Sequence, residues 1–211
     1  MTTLPERDSN DLTRRELEKE EDARLAPWAS RSAEARRAVP LDREGRLFDY
    51  RTEFQRDRDR IVHARAFRRL RLKSNGGAIP PNEPFRDLLT HTLALSQIAR
   101  TAARGLSLNE DLVEAISLGH ALGAPPFGLH GAAALDALLQ DAGGFRVPRQ
   151  SLRVVDLIEK RYAHPGLNLT DAVREGIARL AGEDEVPPDL HPGAPPSCED
   201  RTSWTFRGRC S

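Results

Sequence analysis

The sequence predicts an all-α protein. Three observations predict it. Apolar residues recur at helical spacing through the middle of the chain, capping residues and Gly/Pro turns punctuate those runs, and no segment alternates with a strand's period of two. Leu88, His91, Leu95, Ile98 and Ala102 step by 3, 4, 3 and 4 along one predicted inward face. Leu112, Ile116 and His120 step by 4 and 4 along the next helix, which Ser107 and Glu110 open as a capping box. Each stripe carries one histidine. Two buried imidazoles on neighbouring helices can share a metal ion, and hydrogen-bonded core histidines are the plainer reading of the same pattern.

The other elements follow in chain order. Residues 1–50 are polar and read as an arm, with an exposed, charge-laced helix over Asp11–Arg24 that Pro27 interrupts. Leu25, Trp28 and Ala29 are its candidates for docking on the body. Gln55–Lys73 reads as one helix with Val62, Ala66 and Leu70 inward, beside Phe67, and arginines opposite. Residues 51–73 hold nine Arg/Lys against three acids, either a solvated basic face or a phosphate-facing wall. Gly76-Gly77 and Pro80-Pro81 mark Ser74–Pro84 as a loop. Ala132–Asp141 reads as a helix stopped by Gly143-Gly144, and Arg149–Tyr162 as another with Val155, Ile158 and Tyr162 at helical spacing. Thr170 caps a last helix with Val173, Ile177 and Leu180 inward. From Gly182 periodicity ends; five prolines fall between Pro187 and Pro196, and residues 182–211 are expected to be a disordered, removable tail.

Composition bounds the function. At 211 residues with 38% apolar content, one domain with tails is expected, its core comprising residues 51–181. Zero formal net charge argues against steering towards nucleic acid or anionic lipid. Cys198 and Cys210 alone give neither a disulfide framework nor a metal spacing. No run has the length of a transmembrane helix and the amino terminus lacks a signal-peptide core, so a cytoplasmic protein is expected.

Several longer words carry a resemblance: RTEFQRDRDRIVHARAFRRL, LTHTLALSQIAR, LNEDLVEAI, PPFG, QSLRVVD and GLNLTDAVREGI. Together, from about Arg14 to about Leu180, the chain resembles the deoxyguanosinetriphosphate triphosphohydrolases of the HD superfamily of metal-dependent phosphohydrolases. The resemblance implies an HD-type helical bundle preceded by an irregular arm. It implies a family reaction that hydrolyses dGTP or another deoxynucleoside triphosphate to deoxynucleoside and tripolyphosphate. A divalent metal, Mg²⁺ or Mn²⁺, would polarise the phosphoryl group and acidify the attacking water. His91 matches the first metal ligand and His120 the second.

The departures from the family pattern fall on the chemistry. Ala121 stands where the carboxylate of the His-Asp pair belongs, Ala124 and Leu129 replace histidines, and Ala132 replaces a glutamate. Ala94 and Arg146-Val147-Pro148 also depart, and the last aspartate ligand has no counterpart. His130, one residue from the Leu129 position, is the single available stand-in. Arg56, Arg60, Arg68 and Lys73 are the candidates for polyphosphate contacts. Asn75 stands in for a longer glutamine that helps recognise the sugar. The resemblance therefore implies a catalytically inactive copy, with metal absent or held weakly by two imidazoles. Its alternatives are a nucleotide-binding or subunit-interaction module, as a homo-oligomer or beside an intact paralogue. A nucleic-acid-binding helix is the weakest of these, because aromatics do not interleave the arginines.

Overall fold

The computed structural model describes residues 9–39, 50–73 and 87–179. The described residues are all-α: eight α-helices with short 3₁₀ turns, no strand, and one isolated antiparallel bridge between Arg37 and Thr170. Among them no helix is long and apolar enough to cross a membrane. The expected Ser74–Pro84 loop, Asn75, the inward Leu180 and the 182–211 tail lie outside the described residues.

Helix α1 (Ser9–Arg24) is less exposed than its charges suggest. Arg14 pairs with Glu18 one turn on and reaches Glu53 at 2.9 Å. Glu21 is buried, accepting from the Ser32 amide at 2.6 Å and the Ser32 hydroxyl at 2.7 Å. Leu25, Ala26 and Ala29 then pack with Leu108 as a small satellite core. Trp28 does not dock; it is 81% exposed.

The predicted 55–73 helix is two helices. Helix α2 (Glu53–Val62) starts from a Thr52–Gln55 capping box and ends at His63, and Ala64 is extended before α3 (Arg65–Arg69). A 3₁₀ turn over Leu70–Leu72 follows. The break is stabilised from a distance, because Glu159 accepts from the Ala66 amide at 2.7 Å and the Arg65 amide at 3.2 Å. The inward set is consequently Phe54, Ile61, Ala64, Phe67 and Leu70, while Val62 faces outward.

Helix α4 (Leu88–Gly105) is capped by Asp87, which accepts from the Thr90 amide at 2.6 Å. Its phase is the largest correction. Leu88, Thr92, Ser96 and Ala103 are buried, whereas His91, Leu95, Ile98 and Ala102 are exposed. Thr92 and Ser96 satisfy their hydroxyls on the Leu88 and Leu93 carbonyls, so a small polar face can pack inward without orphaned groups. Helix α5 (Glu110–Gly119) is capped by Asn109, not Ser107, which takes a left-handed turn and offers its carbonyl to the Ala26 amide.

Helix α5 packs on α2 and α4, and on α8 (Asp171–Arg179). Close approach to α8 depends on two glycines. A Cβ at Gly119 would meet Ile177 at 2.6 Å, and one at Gly176 would meet Ile116 at 2.2 Å. Ile61, Leu118, Leu122, Val155, Leu167, Leu169, Val173 and Ile177 fill this junction and are all but inaccessible.

Helix α6 (Gly128–Leu138) starts four residues before its predicted position, after Phe127 and Gly128 in left-handed geometry. It has no buried residue. Helix α7 (Val147–Arg153) is continued by one π turn over Val154–Ile158 and stops there, short of the predicted Tyr162. The wide turn leaves the Val155 carbonyl to accept from the Leu167 amide at 2.6 Å. Asp156 from the same turn is forked by Arg174 of α8, with two contacts of 3.0 Å.

Candidate functional site

Helix α5 delivers His120 to the start of a 3₁₀ turn, His120–Gly123. The ring is half-buried, with Nδ1 2.6 Å from the Ser117 carbonyl. That carbonyl can only accept, so Nδ1 carries the hydrogen and Nε2 keeps its lone pair. Burial, opposed by the Ser117 hydrogen bond and helped by the charge of His91, pushes the His120 pKa down, favouring the neutral ring. His91 is exposed on α4, not buried as the spacing predicts.

Ala121 turns the other way and is 3% exposed inside the main core, against Leu122 and its neighbours. Ser151 locks the turn, its hydroxyl donating to the His120 carbonyl at 2.6 Å and accepting from the Gly123 amide at 2.9 Å. Leu129 is 87% exposed on α6, His130 beside it is exposed, and Ala132 is half-buried. Among the described residues no group of three or more His, Cys, Asp or Glu is arranged to hold a metal ion. Imidazole nitrogens alone do not fit Mg²⁺ or Mn²⁺, which favour oxygen ligands.

The four cations named for phosphate contact separate. Arg56 is buried and donates from Nε to the Arg51 carbonyl at 3.3 Å. Arg60 is buried too, donating to the Leu167 carbonyl and lying 4.3 Å over the Tyr162 ring. Both act within the scaffold. Arg68 is exposed, off the cavity described next.

Lys73 lines a cavity of about 290 Å³, and so does Arg69, which the sequence reading left unassigned. The cavity lies between α3, the 120–123 turn, α7 and the π turn, with Leu122, Val154 and Ile158 on its walls and Gln150 as a neutral polar group. Lys73 Nζ donates to the Ala124 carbonyl. Burial, with the Arg69 charge in support, lowers its pKa. Glu159 also borders the cavity, but its carboxylate is already committed to the amides that open α3. The hollow therefore offers positive charge and apolar surface, and the one acid among its described lining residues is already committed. Ala66, Arg69 and Lys73 step by 3 and 4, a signal readable in the sequence once Ala64 is taken as the helix start.

No family model matches the chain. Individual relatives do match. A deoxyguanosinetriphosphate triphosphohydrolase-like protein of Syntrophus aciditrophicus is 48% identical over 192 residues, 90% of this chain and 46% of its own length. One of Caldanaerobacter subterraneus is 52% identical over 153 residues, 72% of this chain and 43% of its own. One of Deinococcus radiodurans is 45% identical over 181 residues, 84% and 47% of the respective lengths. The chain belongs to the deoxyguanosinetriphosphate triphosphohydrolase-like family. It spans about half the length of the curated relatives it matches.

Proposed function

We propose that this chain is a catalytically silent member of the triphosphohydrolase-like family that binds, without hydrolysing, the phosphate end of a deoxynucleoside triphosphate. The observation that carries the reading is Ala121. A methyl group in the packed core stands where the resemblance calls for a metal-binding carboxylate, and among the described residues no group of three or more His, Cys, Asp or Glu is arranged to hold a metal ion. The resemblance also assigns proton-transfer roles to the positions of Leu129 and Ala132, which cannot titrate. General acid/base catalysis contributes about 10²–10⁴-fold, so its loss together with the metal removes the chemistry rather than slowing it. Arg69 and Lys73 support retained anion binding, because among the described residues Arg69 forms no ion pair and Lys73 meets a carbonyl only. A dissolved nucleotide as ligand favours the cytoplasm as the place of action.

The test is direct. Purified protein incubated with dGTP and either Mg²⁺ or Mn²⁺ should release no tripolyphosphate above a His91→Ala control, and should contain no stoichiometric metal. Calorimetry should show dGTP binding that weakens in Arg69→Gln and Lys73→Gln and is unchanged in Arg68→Gln. Metal-dependent turnover would overturn the silent reading.

A second reading is favoured by α6. An apolar helix without a single buried residue is expected only where another surface covers it. This supports a subunit-interaction role, with a second copy or an intact paralogue as the occupant, and does not need nucleic acid. Light scattering of the wild type against Leu129→Glu with Leu138→Glu checks it. A monomer in both would remove this reading.

A further inference from the structure

The Arg69–Lys73 cavity has a property that anion binding does not use. The molecule has three lysines, Lys19, Lys73 and Lys160. Lys19 and Lys160 are exposed, strongly hydrated point charges. Lys73 is placed differently. Its backbone is pinned where its carbonyl accepts from the Leu88 amide at 3.1 Å, and its amine is fixed against the Ala124 carbonyl on the wall of a 290 Å³ hollow. Apolar groups of Leu122, Val154 and Ile158 line that hollow, and a guanidinium stands one turn before the amine on the same side.

We infer that Lys73 is a carbonyl-reactive amine that captures small aldehydes bearing an anionic group, with Arg69 holding the anion while the amine forms an imine. The step is a condensation with no change of oxidation state. The neutral amine's lone pair attacks the carbonyl carbon, a C–N bond forms, nitrogen loses its two protons, and the carbonyl oxygen leaves as water. A neutral amine is required. Burial and the adjacent Arg69 both lower the Lys73 pKa, which enlarges the neutral fraction at a given pH. The groups bordering the amine are Arg69 of α3, Gln150 of α7 and Glu159 of the π turn. Glu159, the one acid among the described residues that line the cavity, is committed to the Arg65 and Ala66 amides. The cavity is at the lower end of the about 300–1,000 Å³ usual for small-molecule sites, which suits a compact aldehyde better than a whole nucleotide.

The inference rests on the same cavity as the proposed anion binding, and the experiment separates the two. The full chain is treated with pyridoxal 5′-phosphate, or with pyridoxal as the phosphate-free counterpart. It is then reduced with cyanoborohydride, whose hydride converts the imine to a stable secondary amine, and mapped by peptide mass spectrometry. Lys73 should be modified several-fold faster than Lys19 and Lys160 by both aldehydes, and faster by the phosphorylated one. Arg69→Gln should remove the phosphate advantage and slow both aldehydes somewhat. Pyridoxal should still label Lys73 faster than Lys19 and Lys160 in that variant, because burial, the larger cause, still lowers the Lys73 pKa. Lys73→Arg should abolish the fast phase, with an unchanged helical melt showing that the fold survives. Equal rates at all three lysines with pyridoxal would overturn the reactive amine, even if Arg69 still favoured the phosphorylated probe and anion binding stood. Fast labelling of Lys73 without a phosphate advantage would overturn the role given to Arg69.

Discussion

The two sides of helix α4 and its neighbours differ in kind. Where α5 meets α2 and α8, Ile61, Leu118, Val173 and Ile177 are at most 1% exposed, and Gly119 and Gly176 let the helices approach until no Cβ would fit. On the other side, Ile98 is 68%, Leu138 80% and Leu129 87% exposed, and α6 buries nothing. The words that resemble the family, LNEDLVEAI on α5, QSLRVVD on α7 and GLNLTDAVREGI leading through α8, build the closed side. Leu129 and Ala132 sit on the open α6, while Ala121 lies within the closed core. On the proposed reading, the scaffold keeps its close contacts while the positions to which the resemblance assigns chemistry are apolar.

The sharpest way to test this contrast is to truncate one leucine on each side. Leu118→Ala removes a side chain at 1% exposure and should cost about 2–5 kcal/mol by urea unfolding. Leu138→Ala, at 80% exposure, should stay within about 0.5 kcal/mol in the monomer. Comparable losses at both sites would mean that the open side is covered in solution, and a concentration dependence of the Leu138 effect would identify a subunit as the cover.

Next in size is Ala121→Asp. The substitution restores the family carboxylate but places it in the core, where an unpaired polar group costs about 1–3 kcal/mol and a charge more. The expected outcome is a lower thermal midpoint without metal and partial recovery with Mn²⁺, if the new carboxylate turns towards His120 Nε2. An unchanged midpoint in metal-free buffer would show that position 121 opens to solvent. Gly176→Ala should cost about 1–3 kcal/mol by overpacking against Ile116, which stands 2.2 Å from the added Cβ. Wild-type stability in that variant would mean that α8 can shift away from α5.

Much of this was legible in the sequence, and the failures share a cause. Helix existence follows from periodicity, so α1, α4, α5 and α8 stand where their patterns place them. Phase does not follow where a helix is apolar on more than one side: Leu95 and Ile98 look like the inward face of α4, yet Thr92 and Ser96 are buried there because their hydroxyls bond their own backbone. The break at Ala64 depends on Glu159, a residue 95 positions away, and no local signal reports it. That break moved the cavity-facing cation from Arg68 to Arg69. It also left Arg56 and Arg60 as scaffold contacts, the second satisfied by Leu167 and Tyr162, which come late in the chain. The same uncertainty of phase separates the two histidines, since His120 is half-buried while His91, on the stripe read as inward, is exposed.

The smallest expected effect concerns the seam joining the arm to the closed side. Glu110 accepts from Arg104 through both oxygens, at 3.0 and 2.8 Å, and from Arg24 of α1 at 2.7 Å. Hydrogen bonding from Arg104, opposed by burial and reinforced by Arg24, holds its pKa down at about 2. A carboxylate depressed in the folded state stabilises the fold above its unfolded pKa, near 4.5, and loses that contribution as pH falls towards 2. Comparing wild type with Glu110→Gln isolates this group from the other acids. The wild type should be more stable at neutral pH, and the gap in urea midpoint should close between about pH 4.5 and pH 2. The gap should be small beside that of Leu118→Ala, because Arg24 and Arg104 are 56% and 69% exposed and solvent screens them. Added salt should shrink it further at neutral pH. A gap that persists unchanged at pH 2 would mean that Glu110 stabilises the seam through packing of its stem, and that the arginines draped over it contribute no charge-dependent hold on the arm.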